Sequence, residues 1–315
     1  MRIRALLNGR RPHIGLASIA AIALVLTACS SGDPFASNSP GVAENETITV
    51  GSAGFAESEI IAEIYAQALQ AKGIEVKKNL SIGQRDVYLA ALADGSIDLI
   101  PEYSGNLLQF YDAESTASSS EEVYAALGQA IPDDLLVLQQ ARAEDKDSYN
   151  VTTEFAAEHD LKSLSDLAGL GIPLVVGGNP ELRERPYGPG GLTEVYGVAS
   201  DLLSFQAYND SGGPLTVRAL IDGTVQLADI FSTAPAIAEN KFVTLDDPEN
   251  MILPQNVLPL INKGKAGTDV VKVLNEVSAQ LTTEDLIELN SRNQGEEKAS
   301  PAVLARDWLV KNNLD

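Results

Sequence analysis

The segment VYLAALADGSIDLIPEYS, residues 87–104, returns 128 residues later as LTVRALIDGTVQLADIFS, residues 215–232. The two align without gaps and are identical at Ala91/Ala219, Leu92/Leu220, Asp94/Asp222, Gly95/Gly223, Leu99/Leu227 and Ser104/Ser232. Each copy reads as a helix stopped by Asp-Gly, a short strand, then an aromatic followed by Ser. Assigned to separate lobes, the copies place Tyr103 and Phe231 just past the C-terminal ends of strands. Open α/β sheets bind ligands at that edge, so the two rings are expected to face each other across a cleft.

The surrounding pattern agrees with α/β architecture. Ile48-Thr49-Val50 is a strand candidate, and Gly51-Ser52-Ala53-Gly54 is a turn. Ile60, Ile61, Ile64, Tyr65, Ala68 and Leu69 then recur at helical spacing up to a stop at Gly73. Ile74-Glu75-Val76 is the next strand, a helix covers 86–93, and a strand covers 97–100. Strand, helix and strand over about thirty residues give parallel pairing and an open, mostly parallel sheet. Further on, 161–167 reads as a short helix and 173–176 as a strand. A Gly- and Pro-rich loop spans 185–191, and a helix follows near 192–198. Ser300-Pro301 opens a last helix, with Leu304 and Trp308 on its core face.

The N-terminus reads as an export address. Arg2, Arg4, Arg10 and Arg11 precede an apolar run from Ile14 to Leu26, too short for a membrane span of about 20 residues. Leu26-Thr27-Ala28-Cys29 resembles the bacterial lipobox, in which cleavage leaves the cysteine as a lipidated N-terminus. Cys29 is the chain's one cysteine, which excludes a disulfide scaffold. Residues 1–28 are thus expected to be a lipoprotein signal peptide and 29–46 a flexible tether rich in Ser, Gly, Asn and Pro. With 44 acidic and 22 basic side chains, the net charge is −22. That balance argues against a nucleic-acid grip and weakly favours cationic ligands.

Enzymatic chemistry is not expected. His13 leaves with the leader, and His159 lies at a polar helix end. No Gly-x-Ser-x-Gly elbow, P-loop or metal-ligand spacing appears, so neither cofactor nor metal is anticipated.

At the motif level, Val50-Gly51-Ser52-Ala53-Gly54-Phe55-Ala56-Glu57 resembles the opening of substrate-binding proteins of the osmoprotectant ABC importers, the glycine betaine, choline and carnitine type. Asp94 to Gly105 is similar to their Gly-x-Ile-Asp-x-x-Pro-Glu-Tyr-Thr/Ser-Gly signature. The segments at 180–186, 196–197, 230–233 and 254–259 follow in the family order, so the resemblance covers about residues 47–312. It implies a two-lobed periplasmic-binding-protein (venus-flytrap, type II) fold, each lobe an open sheet flanked by helices. Residues 47–146 and 232–315 would build lobe 1, and 147–231 lobe 2, with the chain crossing near Asp147 and again near Phe231. Function would be capture of a quaternary-ammonium solute for a membrane permease and its ATPase, by a monomer held at the outer face of the membrane through lipid. A binding protein for another small polar solute, or a clamshell sensor, remains open at this point.

A quaternary ammonium has no N–H to donate and is bound by aromatic ring faces. The resemblance implies ring walls at Tyr103 and Tyr149, and at Phe231, where many members have Tyr. Tyr187 and Tyr208 are candidate further walls. The Ser52–Phe55 turn precedes a helix, so its N–H groups can face a polar ligand group, with Phe55 as a wall. Ser104, Ser232 and Thr233 follow the two ring positions as polar contacts. Gln84 and Arg85 depart from the small residues usual in the family, and Arg85 is a candidate partner for a ligand carboxylate.

Overall fold

The computed structural model describes residues 47–315. The expected signal peptide, the tether and Cys29 lie outside the described residues.

Ten strands among the described residues form two five-stranded sheets. The first contains β1 (Ile48–Gly51), β2 (Val76–Asn79), β3 (Leu99–Tyr103), β4 (Leu135–Val137) and β10 (Val257–Asn262), in the order β2-β1-β3-β10-β4. The second contains β5 (Tyr149–Val151), β6 (Leu174–Gly178), β7 (Leu203–Ala207), β8 (Leu227–Asp229) and β9 (Val243–Thr244), in the order β7-β6-β8-β5-β9. Each sheet has a parallel trio, β2-β1-β3 or β7-β6-β8, next to one antiparallel strand, β10 or β5. Those antiparallel strands follow the segments on which the chain passes from one lobe to the other.

The internal repeat is a structural equivalence. Leu99 pairs with Val50 of β1, and its counterpart Leu227 pairs with Val176 of β6. The preceding helices, α2 (Arg85–Ala93) in the first lobe and Pro214–Ile221 in the second, both end at an Asp-Gly pair. Gly95 and Gly223 have φ of +77° and +70°, the left-handed conformation that turns a helix end into a following strand and favours glycine.

The four strands expected at 48–50, 74–76, 97–100 and 173–176 are β1, β2, β3 and β6, each within two or three residues of its expected position. β3 starts later than expected and runs through Pro101-Glu102-Tyr103, every residue of it buried. The first lobe's core is organised by α1 (Ala56–Ala71), whose Ile60, Ile61, Ile64, Tyr65 and Leu69 are fully or almost fully buried. Apolar residues nearly all around this helix let it sit between the sheet and the C-terminal helices. Leu304 and Trp308 of the last helix close that core.

The first crossing lies between β4 and β5. The expected return to lobe 1 at residue 232 is corrected. β9 pairs with β5, Phe242 joins the second lobe's core with Ile230, and Leu245, Met251 and Ile252 join it with Tyr149 and Val176. Leu253 is the first residue to bury with the first lobe again, so the return falls at Ile252–Pro254. A two-residue strand carries too little alternation to be read from sequence.

The crossing segments are stitched together. Gln255 N–H donates to Glu144 Oε1 (3.0 Å), Asp145 N–H to the Gln255 carbonyl (3.2 Å), and Ser232 N–H to the Lys146 carbonyl (2.8 Å). Gly105, which follows the Tyr103-Ser104 pair, fits against this junction: a Cβ there would stand 2.5 Å from the Pro254 carbonyl oxygen and 2.8 Å from Leu253.

Candidate ligand-binding cleft

Strand C-terminal ends and helix N-termini of both lobes converge on a cavity of about 760 Å³. From the first lobe come the 53–57 turn, Arg85 and Tyr88 of α2, Tyr103 at the end of β3, and Asn106 of α3 (Ser104–Tyr111). The second lobe contributes Asn179, Arg185, Tyr187, the 209–214 loop, Asp229, Phe231 and Thr233. Asp145 and Asp147 enter from the first crossing, and Asn290 from the helix Thr283–Gln294.

Three rings meet where the lobes meet. Phe55 stands 6.0 Å from Tyr103 at 33° and 5.8 Å from Phe231 at 66°, centroid to centroid. Tyr103 and Phe231 therefore do converge on one cavity, with Phe55 next to both. Phe55 is the N-cap of α1 and has extended backbone, which lifts its side chain out of the helix and into the cleft.

Behind the rings lies a polar network. Glu57, in the first turn of α1 and 4% exposed, accepts three hydrogen bonds: from the Tyr103 hydroxyl (2.7 Å), the Thr233 hydroxyl (2.6 Å) and Asn290 Nδ2 (2.6 Å). Thr233 also donates its N–H to Asp145 (3.0 Å). Burial pushes the Tyr103 phenol upward, and the neighbouring Glu57 carboxylate adds to it. Burial likewise raises Asp145, with Glu57 second. Deeper in the second lobe, burial raises Asp229, with Asp147 second. The Tyr187 hydroxyl bonds both Asn106 Oδ1 (2.9 Å) and Asp147 Oδ2 (3.0 Å), a second link between the lobes.

Of the residues singled out from sequence, Phe55, Gln84, Arg85, Tyr103, Tyr187, Phe231 and Thr233 line the cavity. Others serve elsewhere. Ser52 is wholly buried and its hydroxyl accepts from Ser81 N–H (2.7 Å) and donates to the Ala53 carbonyl (3.1 Å), clamping the turn. Ser104 bridges to the returning segment, donating to the Pro254 carbonyl (3.1 Å) and accepting from Asn256 N–H (3.0 Å). Ser232 accepts from Lys146 N–H (2.9 Å) at the crossing. Tyr149 is 2% exposed in the second core, where its hydroxyl donates to the Tyr187 carbonyl (2.8 Å); it supports a wall and is not one. Tyr208 packs beside Val225 and Ile230 outside the cavity lining.

Arg85 is also corrected in role. Its Nε and Nη2 donate to the two oxygens of Glu102 (2.9 and 3.0 Å), and the Tyr88 hydroxyl donates to Glu102 as well (2.7 Å). Glu102 has no solvent exposure, so it requires a counter-charge. Burial opposes the charge on Arg85, but Glu102 outweighs it and holds the guanidinium above its ordinary value. Glu57, Tyr88, Glu102, Asn106, Asp145, Asp147, Asp229 and Asn290 were not singled out by sequence. Glu57 and Glu102 sit inside the two quoted motifs, which was their one available signal. His159 packs on Phe155 at 4.5 Å, at the end of the helix Thr153–His159, away from the cleft residues.

A cavity closed by residues from two similar α/β lobes, with the chain passing between them, is the arrangement of the two-lobed solute-binding proteins. Residues 46–311 match the family described as the substrate binding domain of ABC-type glycine betaine transport systems, and the chain belongs to that family. The glycine-betaine-binding protein of Pseudomonas aeruginosa is 26% identical over 288 residues, covering 87% of this chain and 90% of that one. Glycine betaine-binding protein YehZ of Escherichia coli is 24% identical over 255 residues, 78% of this chain and 84% of that one. The fold is similar to the crystal structure of a glycine betaine/carnitine/choline ABC transporter protein, with a TM-score of 0.69, 20% identity, and 85% and 99% of the two chains covered.

Proposed function

We propose that this chain captures a quaternary-ammonium osmoprotectant in the interlobe cleft and delivers it to the permease of an ABC importer. The observation that carries this reading is the placement of Phe55, Tyr103 and Phe231 together at one cavity, with Glu57 and Asp145 against them. Ring faces attract a cation whose methyl groups leave it no hydrogen to donate, by roughly 0.5–2 kcal/mol per ring. Buried carboxylates nearby add long-range attraction. In this reading the named residues bind and orient the solute, and the proposed role is carriage without catalysis. A thermal-shift screen of choline, glycine betaine, carnitine, proline betaine and amino acids tests the reading. A quaternary amine should raise the melting temperature by linkage; a response confined to amino acids would replace it.

The same proposal places the protein outside the cytoplasm, tied to the membrane through a lipid on Cys29. Its support is the basic and apolar leader followed by Leu26-Thr27-Ala28-Cys29. Cys29→Ser should release the protein from the membrane fraction, and continued retention would contradict the anchor.

A further inference from the structure

The charges around the cleft bear on the ligand beyond its ammonium group. The lining carries six carboxylates, Glu57, Asp145, Asp147, Glu181, Asp210 and Asp229, against Arg85, Arg185 and Lys298. The cations are weaker than their number suggests. Arg85 is neutralised by two hydrogen bonds to Glu102. Lys298 is exposed at the rim, with its ammonium on the Gln294 carbonyl. Arg185 is left as a single charge beside Tyr187.

The carboxylates are also paired with each other. Thr233 bridges Asp145 and Glu57 through its N–H and its hydroxyl, at the ring cluster. Asp229, 4% exposed, lies against Asp147, with Glu181 adding further negative charge. Facing the Asp145 and Glu57 pair are Tyr103, Asp147 and Asn290; facing the Asp229 and Asp147 pair are Ser148, Tyr149, Tyr187 and Glu181. Asn106 Nδ2 also donates to Asp147 (3.0 Å), and Arg185 and Arg85 act on the second set through Tyr187; the other charged neighbours in both sets are acids.

Resting on the quaternary-amine reading above, we infer that the cleft selects solutes with a net positive charge, of the choline kind, over zwitterions of the glycine betaine kind. The ammonium of either ligand satisfies the rings. The carboxylate of a zwitterion then has to be placed among buried acids, with only Arg185 to balance it, whereas a net cation neutralises an acid pair. Burial and a neighbouring acid raise both Asp145 and Asp229, so a net cation seated beside them favours their ionised forms and its capture releases protons.

Titration calorimetry of the purified chain with choline, ethyltrimethylammonium and glycine betaine tests this, since all three carry the same ammonium head. Choline and ethyltrimethylammonium should each bind at least about tenfold more tightly than glycine betaine, and their heats should vary with buffer ionisation enthalpy in the sense of proton release. Glycine betaine binding as tightly as either cation overturns the inference while leaving the quaternary-amine reading intact. Failure of all three overturns that reading and the inference with it. Asp229→Asn, nearly the same size, should narrow the gap between choline and glycine betaine; an unchanged gap counts against the acids as its cause.

Discussion

The Thr233 hydroxyl donates to the Glu57 carboxylate at 2.6 Å, joining the first turn of α1 to the segment that follows β8, 176 residues further on. The same carboxylate holds the Tyr103 hydroxyl and Asn290. One buried acid therefore fixes a cleft ring, a residue of the second lobe and a C-terminal helix at once.

Glu57→Leu should be costly in two ways. Three donors lose their acceptor, and hydrogen bonds to a charged group contribute roughly 1.5–3 kcal/mol each, without simple additivity. Denaturant unfolding should show a loss on the order of 3 kcal/mol or more. Glu57→Gln, which keeps an acceptor oxygen, should lose much less stability while still weakening capture of a cation. Equal stability losses for the two variants would contradict the network.

Arg85→Leu should behave as the removal of a structural counter-charge. It leaves Glu102 buried and without its guanidinium partner, a situation that costs about 3–5 kcal/mol. The double variant Arg85→Leu/Glu102→Leu should recover most of that loss, as measured by a double-mutant cycle. A single variant as stable as the parent would show that the pair is not what holds Arg85.

Gly105→Ala tests the junction at which the chain returns to the first lobe. The added methyl would meet the Pro254 carbonyl at 2.5 Å, which is backbone and has little room to yield. A loss of about 1–3 kcal/mol is expected from overpacking, read by thermal or urea unfolding. A neutral substitution would mean that the segment at 253–255 moves freely.

The pH dependence follows from the buried acids. Asp145 and Asp229 are raised above the ordinary aspartate value of 3.8, chiefly by burial. Between that ordinary value and their raised ones, the folded chain binds more protons than the unfolded chain. Their contribution to stability therefore falls as pH rises through that window. Exposed Asp94, Asp166 and Glu122 are lowered by local hydrogen bonds and act in the opposite sense, below their ordinary values. Melting temperature of the ligand-free protein should decline as pH rises above the ordinary aspartate value and through that window, and a cationic ligand should flatten the decline. Asp145→Asn/Asp229→Asn should flatten it without ligand; an unchanged slope in that variant would contradict the assignment.

The repeated helix-Gly-strand segment was enough to place Tyr103 and Phe231 at equivalent strand ends, because an Asp-Gly helix stop and a strand leave a strong local pattern. Phe55 was legible from the turn before α1. Tyr149 was expected as a wall from the family resemblance, and sequence position does not tell whether a ring faces ligand or core; its hydroxyl bond to the Tyr187 carbonyl is a long-range fact. Arg85 misled for the same reason: its partner Glu102 lies 17 residues away, across the strand edge. Asp145, Asp147 and Asp229 were hidden among 44 acidic side chains. Burial distinguishes them, and burial depends on how the two lobes meet.

The most direct test is calorimetric titration of choline into the wild-type chain and into Phe231→Ala. Saturable one-to-one binding is expected in the wild type. The variant should bind more weakly by about 0.5–2 kcal/mol, roughly two- to thirtyfold, because the second lobe's ring is gone while Tyr103 and Phe55 remain. Equal affinity in the two proteins, or no saturable heat with wild type, would contradict capture of the cation between rings of both lobes.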